Sequence, residues 1–331
     1  MCNRLRNVSL VTIMMLFLTQ LLVPVAAGQN TGTIPRTPDG HPDLQGIWDY
    51  RTITPLERPD ELAGKQVLTD EEAAAFEQEQ YRRQNRDLID PTTGGANYPP
   101  ESQGGVVPYN EFWYDRGTEV VESKRTSIII EPADGKIPYR SETRPAPRRP
   151  RASGGRGSDS WTDRSLWERC LTRELPRLSG AYNNNLQIFQ AADHVVILNE
   201  MVHEARIVPL SGQPHLDPRI RQLQGDSRGH WDGDTLVVDT TNFTPQTNFR
   251  GSRENLHLIE RFTRADDDSL LYEFTVEDPS AWTEPWTGAL DMAKIGGPLY
   301  EYACHEANRG MTGLLAGARV LEQSAEKAPE R

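Results

Sequence analysis

The stretch LHLIERFTRADDDSLLYEFTVE, residues 256–277, decides the fold of this sequence. Apolar residues recur at every second position on either side of an acidic loop. The apolar positions of this alternation are Leu256, Leu258, Phe262, Leu270, Tyr272, Phe274 and Val276. A period of two is typical of β-strands that bury one face. The stretch therefore predicts an antiparallel hairpin with an apolar inner face.

The loop at 265–269 fixes the register of this hairpin. It places Arg261 opposite Glu273 on the outer face and Phe262 opposite Tyr272 on the inner face. The same register pairs His257 with Glu277 and Arg264 with Leu270. Opposite charges outside and apolar side chains inside agree on this register, and directly opposed side chains are the pairs that stabilise a sheet.

Glu260 is the exception to the alternation, on the inner face between Leu258 and Phe262. A carboxylate buried there must be paired with a cation, protonated or in contact with a polar ligand. An inward Arg or Lys would make Glu260 structural, and a ligand would make it functional. We favour the functional interpretation and treat Glu260 as a candidate catalytic residue.

Other segments extend the β pattern. Strands are predicted at 186–190, 195–210, 234–243 and 286–294, and a second hairpin at 119–137. Short strands joined by Asp-, Gly- and Pro-rich turns favour a closed or two-layered antiparallel structure. The predicted fold is therefore mainly β, an antiparallel lipocalin-like barrel or sandwich.

Two helices accompany the predicted strands. Thr69 and Glu72 have the spacing of a capping box, and strong helix formers follow, so residues 69–88 predict a surface helix. A short C-terminal helix is expected near 306–318.

The composition excludes several classes of protein. Hydrophobic residues make up 36% of the 331 residues, which is enough to build a core. The 24 prolines argue against a helical bundle, because proline interrupts helices. The net charge of −12 argues against a nucleic-acid partner, since phosphate binding needs a basic surface.

Residues 1–27 resemble a secretory signal, with Arg4 and Arg6 before an apolar stretch and Val25-Ala26-Ala27 at its end. The alternative is an uncleaved anchor, but the apolar stretch is shorter than the roughly 20 residues of a spanning helix. We expect cleavage, no membrane span afterwards, and a periplasmic or secreted protein.

The remaining chain, 28–331, is predicted to form a single mainly-β domain. Residues 140–160 interrupt it with an insertion rich in Arg, Pro and Gly. We favour a flexible solvated linker there; the alternative is a basic arm that binds an acidic partner.

Cys170 and Cys304 are the two cysteines that remain after removal of the signal. In an oxidising compartment this pair permits one disulfide that closes a very long loop. Two separate buried thiols are the other interpretation. Neither residue belongs to a CxxC motif, so zinc ribbons and thioredoxin chemistry have no support.

Gly46-Ile47-Trp48 resembles the lipocalin signature, in which the tryptophan closes one end of an eight-stranded barrel. Longer segments are similar to a family of exported bacterial proteins of uncharacterised function. They are PDLQGIW at 42–48, YNNN at 182–185, GDSRGHW at 225–231 and YEYACHE at 300–306. This resemblance implies export and a mainly-β fold, and it implies no particular reaction.

Acid/base chemistry in a barrel pocket is one functional hypothesis. The sequence has no Walker loop, GxGxxG, GxSxG or HExxH motif, so no cofactor is recognisable. Glu260, His203 and Glu200 are the candidate catalytic residues, because a carboxylate near an imidazole can take a proton from a bound substrate. Tyr182, Asn184 and Arg206 are candidates to bind that substrate and stabilise its developing charge.

Binding alone and metal catalysis are the other hypotheses. Trp282, Trp286 and Tyr300 offer flat apolar surface for an aromatic or sugar-like ligand, unless they fill the core. Glu301, His305 and Glu306 would be the ligands of a metal-dependent periplasmic enzyme. We expect an exported protein that binds a small organic molecule in a β-barrel.

Overall fold

The computed structural model describes most of the chain. The described residues are 34–95, 100–103, 109–143, 158–306 and 308–326. The predicted signal at 1–27 lies outside them, and so do residues 144–157, which hold most arginines of the predicted insertion. Within this part of the chain, no helix is both long and apolar enough to cross a bilayer.

The described residues form a ten-stranded antiparallel sheet, which confirms the prediction of a mainly-β antiparallel fold. Its strands are β1 (Gly46–Asp49), β2 (Ile129–Glu131), β3 (Asn185–Gln190), β4 (His194–Asn199), β5 (Glu204–Pro209), β6 (Asp226–Asp232), β7 (Thr235–Thr241), β8 (His257–Arg264), β9 (Ser269–Glu277) and β10 (Trp286–Ile295). The strand order is β5-β4-β3-β1-β10-β9-β8-β7-β6, with β2 paired to β10 beside this path. Strands distant in sequence therefore meet at the centre, where β1 lies between β3 and β10.

The predicted hairpin is β8 and β9, and its predicted register is confirmed. Arg261 lies opposite Glu273, and Phe262 lies opposite Tyr272. The pairs His257 with Glu277 and Arg264 with Leu270 are also present. Along both strands, alternate side chains are buried, so the period-two pattern determined the buried face as well as the pairing.

Glu260 points into the core, where its side chain is 1% exposed and paired with Arg206 of β5. The guanidinium donates from Nη1 to Oε2 over 2.5 Å and from Nη2 to Oε1 over 3.0 Å. The hydroxyl of Tyr272 donates to Oε1 over 2.9 Å. The structure thus shows the ion pair with an inward cation that the sequence left open as the structural interpretation.

Burial and the Glu260 carboxylate shift the pKa values of Arg206 and Tyr272, the two residues that contact Glu260. Burial disfavours the charged form of Arg206, but the Glu260 carboxylate outweighs it and the pKa of Arg206 is raised. Burial, and then the Glu260 charge, raise the pKa of Tyr272 well above its ordinary value. Tyr272 therefore stays neutral and donates a hydrogen bond to the carboxylate.

The sheet curls until its two edge strands meet. Val208 and Leu210, at the end of β5, lie beside Gly229 of β6, where an added Cβ would come within 2.8 Å and 2.6 Å of their methyl groups. The absence of a side chain at Gly229 permits this close approach. Within the described residues, the hydrogen-bonded ladder stops at β5 and β6, so these edges meet through side chains.

The core fills the inside of the curled sheet. Trp48, with no exposed surface, donates from Nε1 to the Leu44 carbonyl, and Arg264 lies 5.7 Å from its ring. Trp282 and Trp286 pack edge to face with ring centroids 5.6 Å apart. These two tryptophans were candidate ligand residues; both are at most 1% exposed and fill the core instead.

Two predicted strand assignments were wrong. Residues 195–210 form two strands rather than one, because the chain reverses through a short 3-10 helix at Met201–His203. The hairpin predicted at 119–137 is absent: β2 pairs with β10, and residues 120–121 do not form a strand. The turn expected there exists, with the Gly135 N–H donating to the Pro132 carbonyl over 2.9 Å.

The two helices lie outside the sheet. In α1 (Asp70–Gln84) the Thr69 and Glu72 backbone and side chains form the predicted reciprocal cap, and Ala73 is its buried residue. The helix ends before residue 88, because the Asn85 side chain accepts from the Asp87 N–H and starts a separate 3-10 turn. The C-terminal helix α2 (Arg309–Glu326) begins later and runs further than predicted.

Cys170 and Cys304 form a disulfide, with their Cα atoms 5.7 Å apart and 134 residues between them in sequence. The interpretation as a single bridge is confirmed. Asn308, just before α2, donates to the Glu168 carbonyl over 2.9 Å, beside the same bridge. The C-terminal segment is therefore fastened to residues 168–170.

We predict that Glu260→Gln lowers the free energy of unfolding by about 3–5 kcal/mol, because it leaves the buried Arg206 charge without a counter-ion. Glu273→Gln, the same change on the outer face of β9, should cost less than about 1 kcal/mol. Denaturant unfolding of both variants measures the difference. Equal stabilities would show that the buried pair does not support the sheet.

We also predict that reducing the Cys170–Cys304 disulfide destabilises the protein by about 3–5 kcal/mol, because the bridge closes a long loop in the unfolded chain. The melting temperature should fall on reduction, and a Cys170→Ala/Cys304→Ala variant should melt at the reduced value with or without reductant. Two titratable thiols in the denatured, unreduced protein that starts at Gly28 would refute the bridge.

Candidate functional site

A cavity of about 680 Å³ opens at the end of the sheet where β1 and β4 finish. Its wall is formed mainly by the irregular segment 165–184, and residues 248–251 complete the lining. Tyr50, directly after β1, and Met201, shortly after β4, contribute to its lining. The cavity thus lies between the end of the sheet and the connections that cover it.

Buried side chains line the base of this cavity. Tyr50, Arg177, Asn184 and Met201 all line it and are each less than 5% exposed. Burial raises the pKa of the Tyr50 hydroxyl, so the phenol stays neutral and can donate a hydrogen bond. The base is therefore polar without carrying an exposed carboxylate.

Asn184 holds the wall in place. Its Oδ1 accepts from the Gly180 N–H over 2.7 Å, and its Nδ2 donates to the Asp115 carbonyl over 2.6 Å and the Gly180 carbonyl over 3.2 Å. Both amide hydrogens are thereby used. Asn184 was a candidate ligand residue; it lines the cavity, and its contacts position the loop at 180–184.

Arg177 and Arg173 lie on the same wall with different partners. Arg177 forms a buried ion pair with Glu204 of β5, and burial lowers the pKa of its guanidinium to about 10, which leaves it charged at neutral pH. Arg173 lies over the Trp167 ring, with Cζ 4.7 Å from the ring centroid. Within the described residues, Arg173 has no carboxylate partner.

Left-handed backbone conformations are concentrated at this site. Glu174, Asn183 and Arg250 line the cavity with φ values of 42°, 56° and 51°. Val202, next to Met201, has φ 63°, which is costly for a β-branched residue. Such strain persists only where the surrounding structure enforces it, and it is enriched at functional sites.

Of the other predicted ligand-binding residues, one lines the cavity. Tyr182 does so, and burial and the neighbouring Tyr302 raise the pKa of its hydroxyl. Arg206 instead faces Glu260 in the core and does not line the cavity. Tyr300 is 70% exposed and also lies outside the lining.

The three candidate catalytic residues have separate partners. Glu260 binds Arg206, and the buried Glu200 accepts from Asn185 Nδ2 over 2.8 Å. His203 is exposed, with Nδ1 3.2 Å from the Tyr302 carbonyl. Within the reversal at 201–203, the His203 backbone N–H donates to the Glu200 carbonyl over 3.1 Å. No side-chain contact between described residues joins two of these three residues, so the structure does not assemble the predicted acid/base pair.

The predicted metal ligands are Glu301, His305 and Glu306, and all three side chains are exposed. In the described part of the chain, no three His, Cys, Asp or Glu side chains are placed to share a metal ion. The geometry of the described residues therefore gives the metal-enzyme alternative no site.

Sequence reasoning missed Arg173, Arg177 and Arg250 as cavity residues. They belong to irregular segments, so no periodicity marks the face to which they point. The one local signal in the sequence was the position of Arg173 and Arg177, shortly before the YNNN segment at 182–185.

A second polar cluster lies on the outer face of β6 to β9. His257 Nε2 lies 3.1 Å from Asp239 Oδ1, and His215 Nε2 lies 3.1 Å from the same oxygen. His215 Nδ1 lies 3.0 Å from Asp226 Oδ2, and His257 Nδ1 lies 3.6 Å from Glu277 Oε2. Two imidazoles thus share the Asp239 carboxylate, and each also faces a second carboxylate.

Comparison with known proteins assigns no family to this chain. No model of a known protein family matches it, and no curated protein matches it with significant similarity.

The histidine cluster predicts how stability depends on pH. The hydrogen bond to Asp239 raises the pKa of His257, and the bond from His257 lowers the pKa of Asp239. Both groups are charged between their ordinary values of 3.8 and 6.5. The stabilisation should be largest in that window. It should be lost as the pH rises through the raised pKa of His257 or falls through the lowered pKa of Asp239.

His257→Gln should therefore lower the melting temperature most near pH 5–6, by about 2–4 °C for a half-exposed pair, and least near pH 9. His230→Gln, an exposed histidine on β6, serves as the control and should show no such pH dependence. A penalty for His257→Gln that is constant from pH 5 to 9 would contradict the charged pair.

Proposed function

We propose that this protein binds a small organic molecule in the cavity at the end of the sheet. The observation that carries the proposal is the cavity of about 680 Å³ itself, closed at its base by buried Tyr50, Arg177 and Met201. Ligand pockets commonly have volumes of roughly 300–1,000 Å³ and combine apolar walls with a few fixed polar groups. The volume of this cavity lies in that range, and its lining combines polar with apolar side chains.

The fixed geometry of the wall supports binding. Asn184 ties residues 180–184 to Asp115, and the Ser179 hydroxyl accepts from the Thr52 N–H over 3.2 Å. A wall held in this way loses little conformational freedom when a ligand enters, so less of the interaction energy is spent on ordering.

We propose that the cavity binds its ligand without turning it over. Glu174 is the acidic residue of the lining, and Tyr50 and Tyr182 keep their protons because their pKa values are raised. These phenols can donate hydrogen bonds to a ligand, but neither is poised as a general base near neutral pH.

The disulfide supports the proposed place of action. Stable disulfides persist mainly in oxidising compartments, and Cys170 and Cys304 are bridged. The signal-like sequence at 1–27 agrees with this, so we place binding in the periplasm or outside the cell.

Thermal-shift screening of the purified protein against aromatic and sugar-like molecules tests the proposal. A ligand at about 100 times its Kd should stabilise the fold by about 2.7 kcal/mol and raise the melting temperature by several degrees. Tyr182→Ala should abolish this shift, because Tyr182 lines the cavity. Tyr300→Ala, the same change at an exposed tyrosine outside it, should retain the shift. A shift that survives Tyr182→Ala and disappears in Tyr300→Ala would place the site elsewhere.

A further inference from the structure

We infer that the ligand of this cavity is an aromatic carboxylic acid in its ionised form, and that Arg173 and Arg250 bind its carboxylate. The inference rests on the proposed binding function and specifies its ligand class. It is carried by the charges of the lining, by the absence of carboxylate partners for two arginines within the described residues, and by the apolar side chains of the same lining.

The lining is cationic although the protein is acidic. Arg173, Arg177 and Arg250 face the cavity against Glu174 as the acidic residue, whereas the whole chain carries a net charge of −12. A local excess of positive charge in an acidic protein attracts anions to that site and away from the rest of the surface.

The three arginines differ in what neutralises them. Arg177 is paired with Glu204 inside the protein. Arg173 and Arg250 form no ion pair with any residue of the described chain, while many exposed arginines elsewhere do, for instance Arg219 with Asp217 and Arg261 with Asp232. Two guanidinium groups are thus left to bind a ligand.

Contacts with Trp167 and Gly180 fix the position of the Arg173 guanidinium. Its guanidinium lies over the Trp167 ring, and its Nη2 approaches Gly180 so closely that an added Cβ would lie 3.1 Å away. Stacking leaves the in-plane N–H groups of a guanidinium free to form paired hydrogen bonds. A carboxylate matches this fork with two oxygens.

Arg250 is presented by a turn that is fixed to the core. Phe249 is 4% exposed and stacks on Trp286, with ring centroids 5.9 Å apart. The hydroxyl of Ser252 donates to the buried Asp278 over 2.6 Å. Arg250, with φ 51°, stands between these two anchors and is directed by them.

The apolar side chains of the lining indicate the chemistry of the rest of the ligand. Tyr50, Leu178, Tyr182, Met201 and Phe249 supply rings and aliphatic groups to the lining. Such a surface suits a flat apolar frame. A neutral sugar would leave the charges of Arg173 and Arg250 without a counter-ion. An aromatic acid therefore fits better than a sugar.

Isothermal titration with matched pairs tests the inference on the full-length protein. The probes are benzoate, cinnamate and 2-naphthoate, each compared with its neutral primary amide of the same shape. At least one acid should bind at least about tenfold more tightly than its amide, since hydrogen bonds to charged groups are roughly twice as strong as neutral ones. Arg173→Gln and Arg250→Gln should each weaken acid binding about tenfold and should weaken amide binding clearly less, because an amide carries no charge.

Arg219→Gln is the matched control, because Arg219 is exposed and lies outside the cavity; it should bind like the unaltered protein. Melting temperatures of all variants show that they are folded. If an amide binds as tightly as its acid and Tyr182→Ala abolishes both, the cavity binds ligands but the anionic class is wrong. If no acid binds at millimolar concentration, the inference is overturned, and absence of any shift in the wider screen would overturn the proposed function too.

Discussion

The ion pair between Arg206 and Glu260 is the constraint on which the shape of this protein depends. Arg206 belongs to edge strand β5, and five strands separate it from β8, which holds Glu260. In a flat sheet, six strand spacings would place the two about 29 Å apart. Their atoms lie 2.5–3.0 Å apart, so the sheet must curl until its opposite parts face each other across the interior. The contact of Val208 and Leu210 with Gly229 follows from the same curvature.

The same curvature creates two unlike ends inside the sheet. One end is closed by Trp48 beneath Arg264. At the other, Glu204 of β5 pairs with Arg177, which lines the cavity. A buried ion pair fixes a charge in place at a desolvation cost that an apolar pair would avoid. At Arg177 this cost is understandable, because the pair with Glu204 holds a polar side chain at the cavity. In the same wall, Arg173 has no carboxylate partner among the described residues.

The hairpin of β8 and β9 could be predicted down to its residue pairs. Successive side chains of a strand point to opposite faces, so the inward positions of Leu258 and Phe262 also predicted that Glu260 points inward. Its partner could not be predicted, since no local pattern connects Glu260 to Arg206, 54 residues earlier. The reversal after β4 could not be predicted either, because Val202 and His203 adopt left-handed backbone conformations although neither residue is a glycine or an asparagine.

The candidate site could be predicted only in part, for a related reason. Tyr182 and Asn184 stand out in the sequence and do line the cavity. The tryptophans expected beside them fill the core instead, because an inward strand position and a cavity position look alike in sequence. The arginines of the wall lie in irregular chain, where neither the helical nor the strand period applies. Their direction is set by contacts that form only in the folded protein.

The wall of the cavity is held by a disulfide and by side-chain contacts rather than by the hydrogen bonds of the sheet. Residues 165–184 contain no strand and no α-helix, so no ladder of hydrogen bonds holds them. They are fixed by scattered contacts instead: the amide of Asn184, the pair of Arg177 with Glu204, and the bridge from Cys170 to Cys304. Of these, only the bridge is covalent, and it lies three residues before Arg173. Reduction of this bridge should therefore affect the wall of the cavity before it affects the β-core.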